Sequence, residues 1–373
     1  MKIIIFNDLV IGGGTETLLQ IFVKDFLKRG NDVTVVASPK DSADFKKAFP
    51  SEVHCIRARL PKKSCKNRIY SFGYSLKRKV FRFISILKVM AVKYDVAISM
   101  TEGKVMKDTA SVRALKKLAW IQCDYRTFQH RDWFKNVFPS IDKERRCMRR
   151  FDKIVCVSET ARIGRIETIG DTGNLCIRYN PIDWEKIREL SEKACVFSKD
   201  LSRKLIVAVG RLDPIKNFKC LLEASVLLKN KFDFDLWIVG DGPQKEELAE
   251  YIRSNNLTNV KLLGFQANPF PIIKQADLFV SSSISESYGL SVQEALILGV
   301  PVVAVKCSGI EESLDPEFGV LVDNSSEELS KAISKLLGNP DELDTYRKSI
   351  NDKYSLDSLY DSRMEAIYHL IEA

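Results

Sequence analysis

Two cations in the second half of the chain have the types and the spacing that suit a diphosphate. Arg211 and Lys216 lie in the segment GRLDPIKN, residues 210–217, directly after the apolar run LIVAV. Arg offers a planar fork of donors and Lys a point charge, so together they could neutralise a leaving diphosphate. Two solvated charges on a loop would give the same pattern, and composition alone leaves both interpretations open.

Two carboxylates follow further along the chain, in SISESYGLSVQEAL, residues 283–296. The pattern predicts a strand ending at residues 281–283 and a helix beginning near Leu290, which places Glu286 on the loop and Glu294 about one turn inside the helix. Carboxylates accept hydrogen bonds from sugar hydroxyls, and loop amides at a helix N-terminus suit phosphate or sugar oxygens. Two glutamates eight apart are common by chance, so the spacing by itself says little.

A glycine run, Gly12, Gly13 and Gly14, follows the first predicted strand and precedes a helix. Glycines there let backbone N–H groups approach a phosphate at the helix N-terminus. The run lacks both the GxGxxG spacing and the Lys-Ser/Thr pair of a P-loop. It is therefore a phosphate-loop candidate, with a simple tight turn as the alternative.

The elements that must position these residues alternate in a βαβα rhythm. Strand-like runs such as KIIIF, DVTVVAS and KIVCVSE precede a linker, YNPID and the polar stretch to Ser202, and the rhythm restarts at KLIVAVG. We predict an α/β protein with two Rossmann-like, doubly wound parallel-sheet domains facing a cleft, where ligands bind beyond the carboxyl ends of the strands. The predicted domains are residues 1–180 and 181–355, and residues 356–373 are predicted to form a helix that packs back toward the first domain.

Composition excludes several classes of protein. With 45% hydrophobic and 29% charged residues, the 373-residue chain is typical of globular proteins, and no apolar run is long enough for a membrane span. The N-terminus lacks the pattern of a signal peptide, and nine irregularly spaced cysteines suit reduced thiols, so we expect a cytoplasmic protein. Three scattered His, and an Asp233/Asp235 pair placed before a strand, predict no metal site.

Charge is divided unevenly between the halves. Residues 1–180 carry about 36 Lys and Arg against 18 Asp and Glu, and between residues 57 and 93 there are about 12 cations and no acidic residue, with aromatic residues interleaved. Residues 75–90 could form a helix with one cationic and one apolar face, which predicts contact with an anionic membrane surface. The alternative is an ordinary surface helix whose apolar face lies in the core. No nucleic-acid-binding motif accompanies the charges, so no nucleic-acid partner is expected.

Five ordered motifs together resemble glycosyltransferase family 4, whose members are retaining enzymes with the GT-B fold. They are GRLDPIKN, VGDGPQKEEL, VKLLGF, SSSISESYGLSVQEAL and GVPVVAV, and the N-terminal GGGTE is similar to the first glycine loop of that family. The resemblance implies a catalytic role for Arg211 and Lys216 at the diphosphate, and for Glu286 at the donor sugar. It implies contact of Glu294 with the ribose hydroxyls. The implied donor-binding set is completed by Gly13, Gly14, Gly210, Gly264, Phe265, Tyr288, Gly289 and Leu290.

One position departs from the family pattern. Many relatives read W-I-H-x-D-Y where this chain has Trp120 to Tyr125, so a His near the sugar is replaced by Gln122. The resemblance implies front-face attack in which the leaving phosphate accepts the proton, without a dedicated base and without a metal or other cofactor. Gln122 and Asp124 are the acceptor-side candidates, and a structural role for Asp124 is the alternative.

These observations predict transfer of a hexose or N-acetylhexosamine from a nucleotide sugar, with UDP favoured by the resemblance, onto a glycan acceptor. A lipid-linked acceptor in surface-polysaccharide assembly, at the inner face of the cell membrane, is the expected setting. The alternatives are a nucleotide-sugar epimerase, which the scarcity of His disfavours, and a non-catalytic partner of another transferase.

Overall fold

The computed structural model describes residues 1–10, 13–38, 41, 43–58, 77, 80–81, 84–85, 87–126 and 136–372. The chain divides into two compact units. The first, the N-terminal unit, contains residues Met1–Ile182 and Asp361–Ala373, and the second, the C-terminal unit, contains Asp183–Tyr360. Each unit is built on one parallel sheet, which confirms the prediction of two Rossmann-like α/β domains.

The N-terminal unit contains a seven-stranded parallel sheet in the order β3-β2-β1-β4-β5-β6-β7. Its central strands are buried on both faces, as in sheets that are covered by helices on each side, and Ile3, Ile4 and Ile5 have no exposed surface. The strands are β1 (Lys2–Phe6), β2 (Asp32–Ala37), β3 (His54–Arg57), β4 (Lys93–Ser99), β5 (Arg113–Ile121), β6 (Lys153–Cys156) and β7 (Leu175–Ile177).

Helices follow the strands of this sheet, and two of them begin at Ser residues whose hydroxyls accept a backbone N–H three residues on, Ser140 and Ser158. The helices bounded in the described residues of this unit are α1 (Gly14–Lys28), α2 (Ala43–Ala48), α3 (Lys104–Ala110), α4 (Ile141–Met148), α5 (Glu159–Ile169) and the C-terminal α14 (Asp361–Glu372). The predicted continuous helix over 356–373 is wrong at its start, because a short 3₁₀ turn at Asp357–Leu359 precedes α14.

The C-terminal helix α14 packs on α1. Tyr368 stands edge-on to Phe26, with ring centroids 5.5 Å apart, and the Arg29 guanidinium lies 3.8 Å from the centre of the Tyr368 ring. Arg29 Nη2 also donates to Glu365 at 2.5 Å. The end of the chain therefore belongs to the same core as its beginning.

The C-terminal unit contains a six-stranded parallel sheet in the order β10-β9-β8-β11-β12-β13. The strands are β8 (Lys204–Val209), β9 (Phe234–Val239), β10 (Val260–Gly264), β11 (Leu278–Ser281), β12 (Val302–Val305) and β13 (Gly319–Val322). The helices are α6 (Trp184–Ser191), α7 (Phe218–Leu228), α8 (Lys245–Ser254), α9 (Phe270–Lys274), α10 (Leu290–Ile297), α11 (Ser308–Ser313), α12 (Ser326–Gly338) and α13 (Pro340–Lys353).

Two predictions about local structure in this unit are wrong. The stretch read as a polar linker contains helix α6, because Asp183 accepts the Lys186 N–H at 3.1 Å and caps a helix that buries Ile187. Asp235 lies inside β9 and not before it. Arg203 pairs with both Asp233 and Asp235, at 2.7 and 2.8 Å, so this acidic pair neutralises an arginine.

Candidate functional site

The loop that carries Arg211 and Lys216 leaves β8 and is held against the loop that leaves β9. Gly210 N–H donates to the Val239 carbonyl at 3.0 Å, and Leu212 N–H donates to Asp241 at 3.1 Å. A Cβ on Gly240, whose φ is +145°, would lie 1.8 Å from the Gly210 carbonyl oxygen. Glycine is required at Gly240 because the two backbones approach too closely for a side chain.

The structure brings two of the predicted catalytic residues together. Lys216 Nζ and a Glu286 carboxylate oxygen form a salt bridge, and Ser283 Oγ donates to the same oxygen at 2.8 Å. The side chains are only 22% and 14% exposed, so this ion pair is better shielded from solvent than an ordinary surface pair. A cationic and an anionic group are thus fixed beyond the carboxyl ends of β8 and β11.

Arg211 is placed differently from Lys216. Its side chain is 71% exposed, and its Nε lies 3.8 Å from an Asp213 carboxylate oxygen. A solvated ion pair at this distance contributes little to stability. The Arg211 cation is therefore held loosely at the edge of the loop, where a bound anion could recruit it.

The segment between the two glutamates contains a glycine in the left-handed conformation. Gly289, with φ +65° and ψ +51°, precedes helix α10, and a Cβ there would lie 2.3 Å from Ile310 Cδ1. Gly309 N–H donates to the Glu286 carbonyl at 3.1 Å, and a Cβ on Gly309 would collide with the backbone of residues 286–287. Leu290 begins the helix, as predicted from the sequence. Tyr288 is buried beside it.

Glu294 lies one turn inside α10 and is partly buried. Burial raises the pKa of Glu294 from its usual value of 4.5 to about 7, although attraction to Lys216 opposes the rise. A carboxyl with this pKa exchanges its proton near neutral pH and accepts hydrogen bonds most strongly once ionised. Lys216, Glu286 and Glu294 thus form one electrostatic group.

Two residues of the predicted donor-binding set, Gly264 and Phe265, lie at the end of β10 and directly after it. Gly264 has φ +71°, and its carbonyl accepts the Gly240 N–H at 2.9 Å, which joins this loop to the one that packs on Gly210. Phe265 is 66% exposed, unusual for a large aromatic ring. The geometry leaves the ring of Phe265 available for stacking.

The N-terminal glycines show a less favourable arrangement for an anion. Gly13 caps α1 in an extended conformation and Gly14 is the first helical residue, whereas Gly12 lies outside the described residues. A Glu16 carboxylate oxygen lies 2.7 Å from the position of a Cβ on Gly13. This negative charge disfavours a phosphate beside Gly13 while Glu16 keeps its position, so donor contact by Gly13 and Gly14 stays a prediction.

Gln122 and Asp124 follow β5 in the N-terminal unit and have different surroundings. Gln122 Nε2 donates to the Met100 carbonyl at 3.2 Å, and its Oε1 accepts from Asn180 Nδ2 at 3.1 Å. Both Asp124 oxygens accept from Arg126, with 2.8 Å to Nη2. Asp124 is 2% exposed, so the geometry favours its structural alternative.

Sequence reasoning missed Glu102, which follows β4. Its carboxylate accepts the Gln122 N–H and, at 3.6 Å, the Cys123 thiol. Burial raises the pKa of Glu102 above its usual value. Its position directly after a predicted strand end was the available signal, but only the fold showed that it holds the turn after β5.

Two further features are absent from the described part of the chain. None of its helices is both long enough and apolar enough to span a bilayer. No group of three or more His, Cys, Asp or Glu side chains within it could hold a metal ion.

Comparison with known proteins finds similar sequences and similar structures. Residues 192–353 match the family model described as glycosyl transferases group 1. An N-acetylgalactosamine-N,N'-diacetylbacillosaminyl-diphospho-undecaprenol 4-alpha-N-acetylgalactosaminyltransferase from Campylobacter jejuni is 36% identical over 154 residues, which are 40% of either chain. The match thus spans about two fifths of that relative's length.

Two other proteins are similar over most or all of the chain. An uncharacterised glycosyltransferase of Haemophilus influenzae is 25% identical over 350 residues, covering 91% of this chain and 92% of the relative. The crystal structure of HepE from Anabaena in complex with UDP superposes with a TM-score of 0.73 at 19% identity and covers both chains completely. This superposition shows that the protein has the GT-B fold.

Proposed function

We propose that this protein is a glycosyltransferase that moves a hexose or N-acetylhexosamine from a nucleotide diphosphate sugar onto a glycan acceptor with retention of configuration, as in glycosyltransferase family 4. The observation that carries the proposal is the shielded Lys216–Glu286 pair at the strand ends of a group 1 domain. A fixed cation there can stabilise a diphosphate as its negative charge grows on departure. The neighbouring carboxylate can accept hydroxyls of the donor sugar.

Each residue has a part in this chemistry. Lys216 neutralises the leaving diphosphate, and Arg211 joins it once the diphosphate has bound. Glu286 orients the donor sugar, and ionised Glu294 accepts hydrogen bonds from the ribose hydroxyls. Phe265 stacks on the base. Gln122 is uncharged, so we propose that the leaving phosphate itself removes the acceptor proton, without a side-chain base. We propose further that the reaction needs no metal, because two cations supply the charge that a metal would otherwise supply.

The donor and acceptor are proposed from the relatives. HepE was crystallised with UDP, and the Campylobacter relative is named for an undecaprenol-diphosphate-linked acceptor. A UDP-sugar and a lipid-linked acceptor in surface-polysaccharide assembly are accordingly the substrates we propose. The two proteins share this fold or part of this sequence, which supports the choice of substrates by analogy.

A thermal-shift screen against UDP, GDP, ADP and dTDP tests the donor site, because a ligand that binds the folded state raises the melting temperature. We expect UDP to raise the melting temperature most, in the presence of EDTA as in its absence. Arg211→Ala should remain folded and lose nearly all sugar transfer. No shift with any nucleotide, together with unchanged glycan output by Arg211→Ala in cells, would favour the non-catalytic partner.

We also propose that the protein binds the inner face of the cell membrane, and one surface of the N-terminal unit supports this location. Residues 59–76 of the basic segment lie outside the described residues, but the described residues at 77, 80–81, 84–85 and 87–90 are helical. Val80, Ile84 and Leu87 are 46–49% exposed and share one helical face, whereas Val89 is buried in the core. Exposed apolar residues beside Lys77 and Lys88 suit an anionic lipid surface.

Flotation with vesicles of phosphatidylglycerol and phosphatidylcholine tests this surface. We expect the protein to float with the vesicles at low salt, and Ile84→Asp to reduce the bound fraction severalfold. Leu201→Asp, at a residue that is 91% exposed in the other unit, is the matched control and should float normally. Equal flotation of both variants would reject this helix as the membrane contact.

A further inference from the structure

Two consecutive serines follow strand β11 directly, and both are buried. Ser282 is 2% exposed and Ser283 is 3% exposed, and their hydroxyls contact different members of the Lys216–Glu286 ion pair. Ser282 Oγ donates to the Lys216 carbonyl at 2.8 Å, whereas Ser283 Oγ donates to a Glu286 carboxylate oxygen at 2.8 Å. One loop therefore holds both the cation and the carboxylate of the candidate site.

Ser282 holds the backbone of Lys216. A carbonyl can only accept, so the Ser282 hydroxyl must be the donor, and Ile284 N–H donates to the neighbouring Ile215 carbonyl at 2.9 Å. The stem of Lys216 lies over Gly210, since a Cβ on Gly210 would be 3.2 Å from Lys216 Cδ. These contacts leave the terminal ammonium as the part of Lys216 that can turn from one anion to another.

Ser283 and Lys216 share one oxygen of Glu286. Lys216 Nζ pairs with Glu286 Oε1, and the Ser283 hydroxyl donates to the same atom. If the diphosphate of a donor draws the ammonium away, Ser283 is the group that remains on Oε1 and satisfies a carboxylate that is only 14% exposed. Gly309 N–H holds the Glu286 carbonyl as well, at 3.1 Å. The carboxylate can thus keep its orientation while its cation moves to the leaving group.

We propose that Ser282 and Ser283 are positioning residues of the donor site, in which Ser282 places Lys216 at the diphosphate and Ser283 holds Glu286 toward the sugar after Lys216 has moved. Lys216 is then exchanged between two anions, Glu286 in the free protein and the diphosphate in the complex. This inference rests on the proposed function for the roles of Lys216 and Glu286. The two serines should therefore affect different parts of the donor.

Calorimetry on the full chain separates the two parts. UMP, UDP and the UDP-sugars of glucose, galactose and N-acetylglucosamine are compared through two ratios of dissociation constants. The ratio of UMP to UDP reports the contribution of the second phosphate, and the ratio of UDP to the tightest UDP-sugar reports that of the sugar. Ser282→Ala should lower the first ratio about fivefold, and Ser283→Ala should lower the second about fivefold, because each loses the hydrogen bond that holds its partner. Each variant should change the other ratio much less.

The same substitutions in variants that lack the partner side chain show whether each serine acts through it. Ser283→Ala added to Glu286→Ala should leave the sugar ratio at the value of Glu286→Ala alone. Ser282→Ala added to Lys216→Ala should likewise leave the phosphate ratio unchanged. A serine with a general structural role would instead lower its ratio by the same factor in both backgrounds.

Ser225→Ala is the matched control. Ser225 is 2% exposed in the same unit, and its Oγ donates to the Leu221 carbonyl at 2.9 Å inside helix α7. This variant loses a buried hydrogen bond of the same kind and should bind UMP, UDP and the UDP-sugars like the wild type. It therefore distinguishes positioning from a loss of stability.

The proposal is overturned if either serine variant, confirmed as folded by circular dichroism, keeps both ratios of the wild type. It is equally overturned if the effect of a serine is undiminished when Lys216 or Glu286 is absent. Cysteine, which is close to serine in size but a weak donor, replaces alanine in a variant that does not fold. A wild type that binds no nucleotide would instead count against the proposed function, because the two serines would then have no donor to position.

Discussion

The two units share one sheet design but present different chemistry at the carboxyl ends of their strands. In the C-terminal unit the strand ends carry the Lys216–Glu286 ion pair, packed among glycines that leave no room for a Cβ. In the N-terminal unit they carry neutral amides oriented by backbone carbonyls. Charge suits an anion such as the diphosphate of the proposed donor, whereas neutral amides suit uncharged hydrogen-bonding groups, so the two units favour different kinds of ligand.

The largest expected effect concerns the charge in the C-terminal unit. Lys216→Ala should lower the turnover of the UDP-sugar selected by the thermal-shift screen by roughly 100- to 1000-fold, because a fixed charge at the leaving group is lost. Lys219→Ala, an exposed lysine of helix α7, should retain nearly full turnover. Equal turnover in the two variants would contradict the role of Lys216 in stabilising the leaving diphosphate.

The close packing of loops in the C-terminal unit can be compared with an open glycine in the N-terminal unit. Gly240→Ala forces a Cβ onto the Gly210 carbonyl and should reduce the free energy of unfolding by about 3 kcal/mol or more. Gly173, with φ +78°, has no atom within 4 Å of its Cβ position, so Gly173→Ala should cost only about 1 kcal/mol. Chemical denaturation measures the free energy of unfolding of both variants. Equal losses would show that the loop at Gly240 shifts to accommodate the added Cβ.

A smaller effect depends on pH and on Glu294. Its pKa is raised to about 7, so between pH 4.5 and 7 the folded state keeps a proton that the unfolded state loses, and stability falls as pH rises. Glu294→Gln removes this penalty and should gain about 2 kcal/mol over the wild type at pH 8, with little gain near pH 4.5. Melting temperatures across this range check the slope, and a difference that does not change with pH would contradict the raised pKa of Glu294.

Asp277, in the same unit, sharpens the contrast with Glu294. Burial by itself would raise the pKa of Asp277, but hydrogen bonds from Lys199 and the Leu205 N–H lower it below its usual value. Asp277→Asn should therefore destabilise the protein at neutral pH and lose this effect as the solution is acidified. Opposite pH dependence in the two variants is the expected result.

The smallest expected effect lies in the N-terminal unit, between helices α1 and α14. Glu365 is 54% exposed, so Glu365→Ala should cost about 0.5 kcal/mol by removing its salt bridge with Arg29. Tyr368→Ala should cost more, because its ring is buried against Phe26. If the two variants were equally stable, the docking of α14 would depend on charge and not on the aromatic contact.

Much of the fold was predictable from sequence because the strands are buried on both faces. The runs KIIIF, KLIVAVG and DLFVSSS coincide with β1, β8 and β11, and the helix predicted near Leu290 begins there. Short or polar elements were not predictable in this way. Strand β7 has three residues, and α6 lies in a stretch whose polar composition resembled a linker.

The candidate site was predictable as a set of residues but not as a set of contacts. The motifs indicated Lys216 and Glu286 without showing that they pair, and they placed Arg211 beside Lys216 although the structure leaves Arg211 in solvent. Glu102 and Asn180 belonged to no motif. Both residues contact Gln122, through hydrogen bonds that join residues 20 and 58 positions apart in the chain.

By itself, the sequence determined the alternation of strands and helices, the glycines at the loops and the types of charged residue, because these follow from local periodicity and side-chain chemistry. Only the tertiary structure decided which carboxylate meets which cation, which serine hydroxyl holds each of the two, and which carboxyl has a raised pKa. Those properties depend on burial and on the geometry between loops distant in sequence, and no local pattern carries that information.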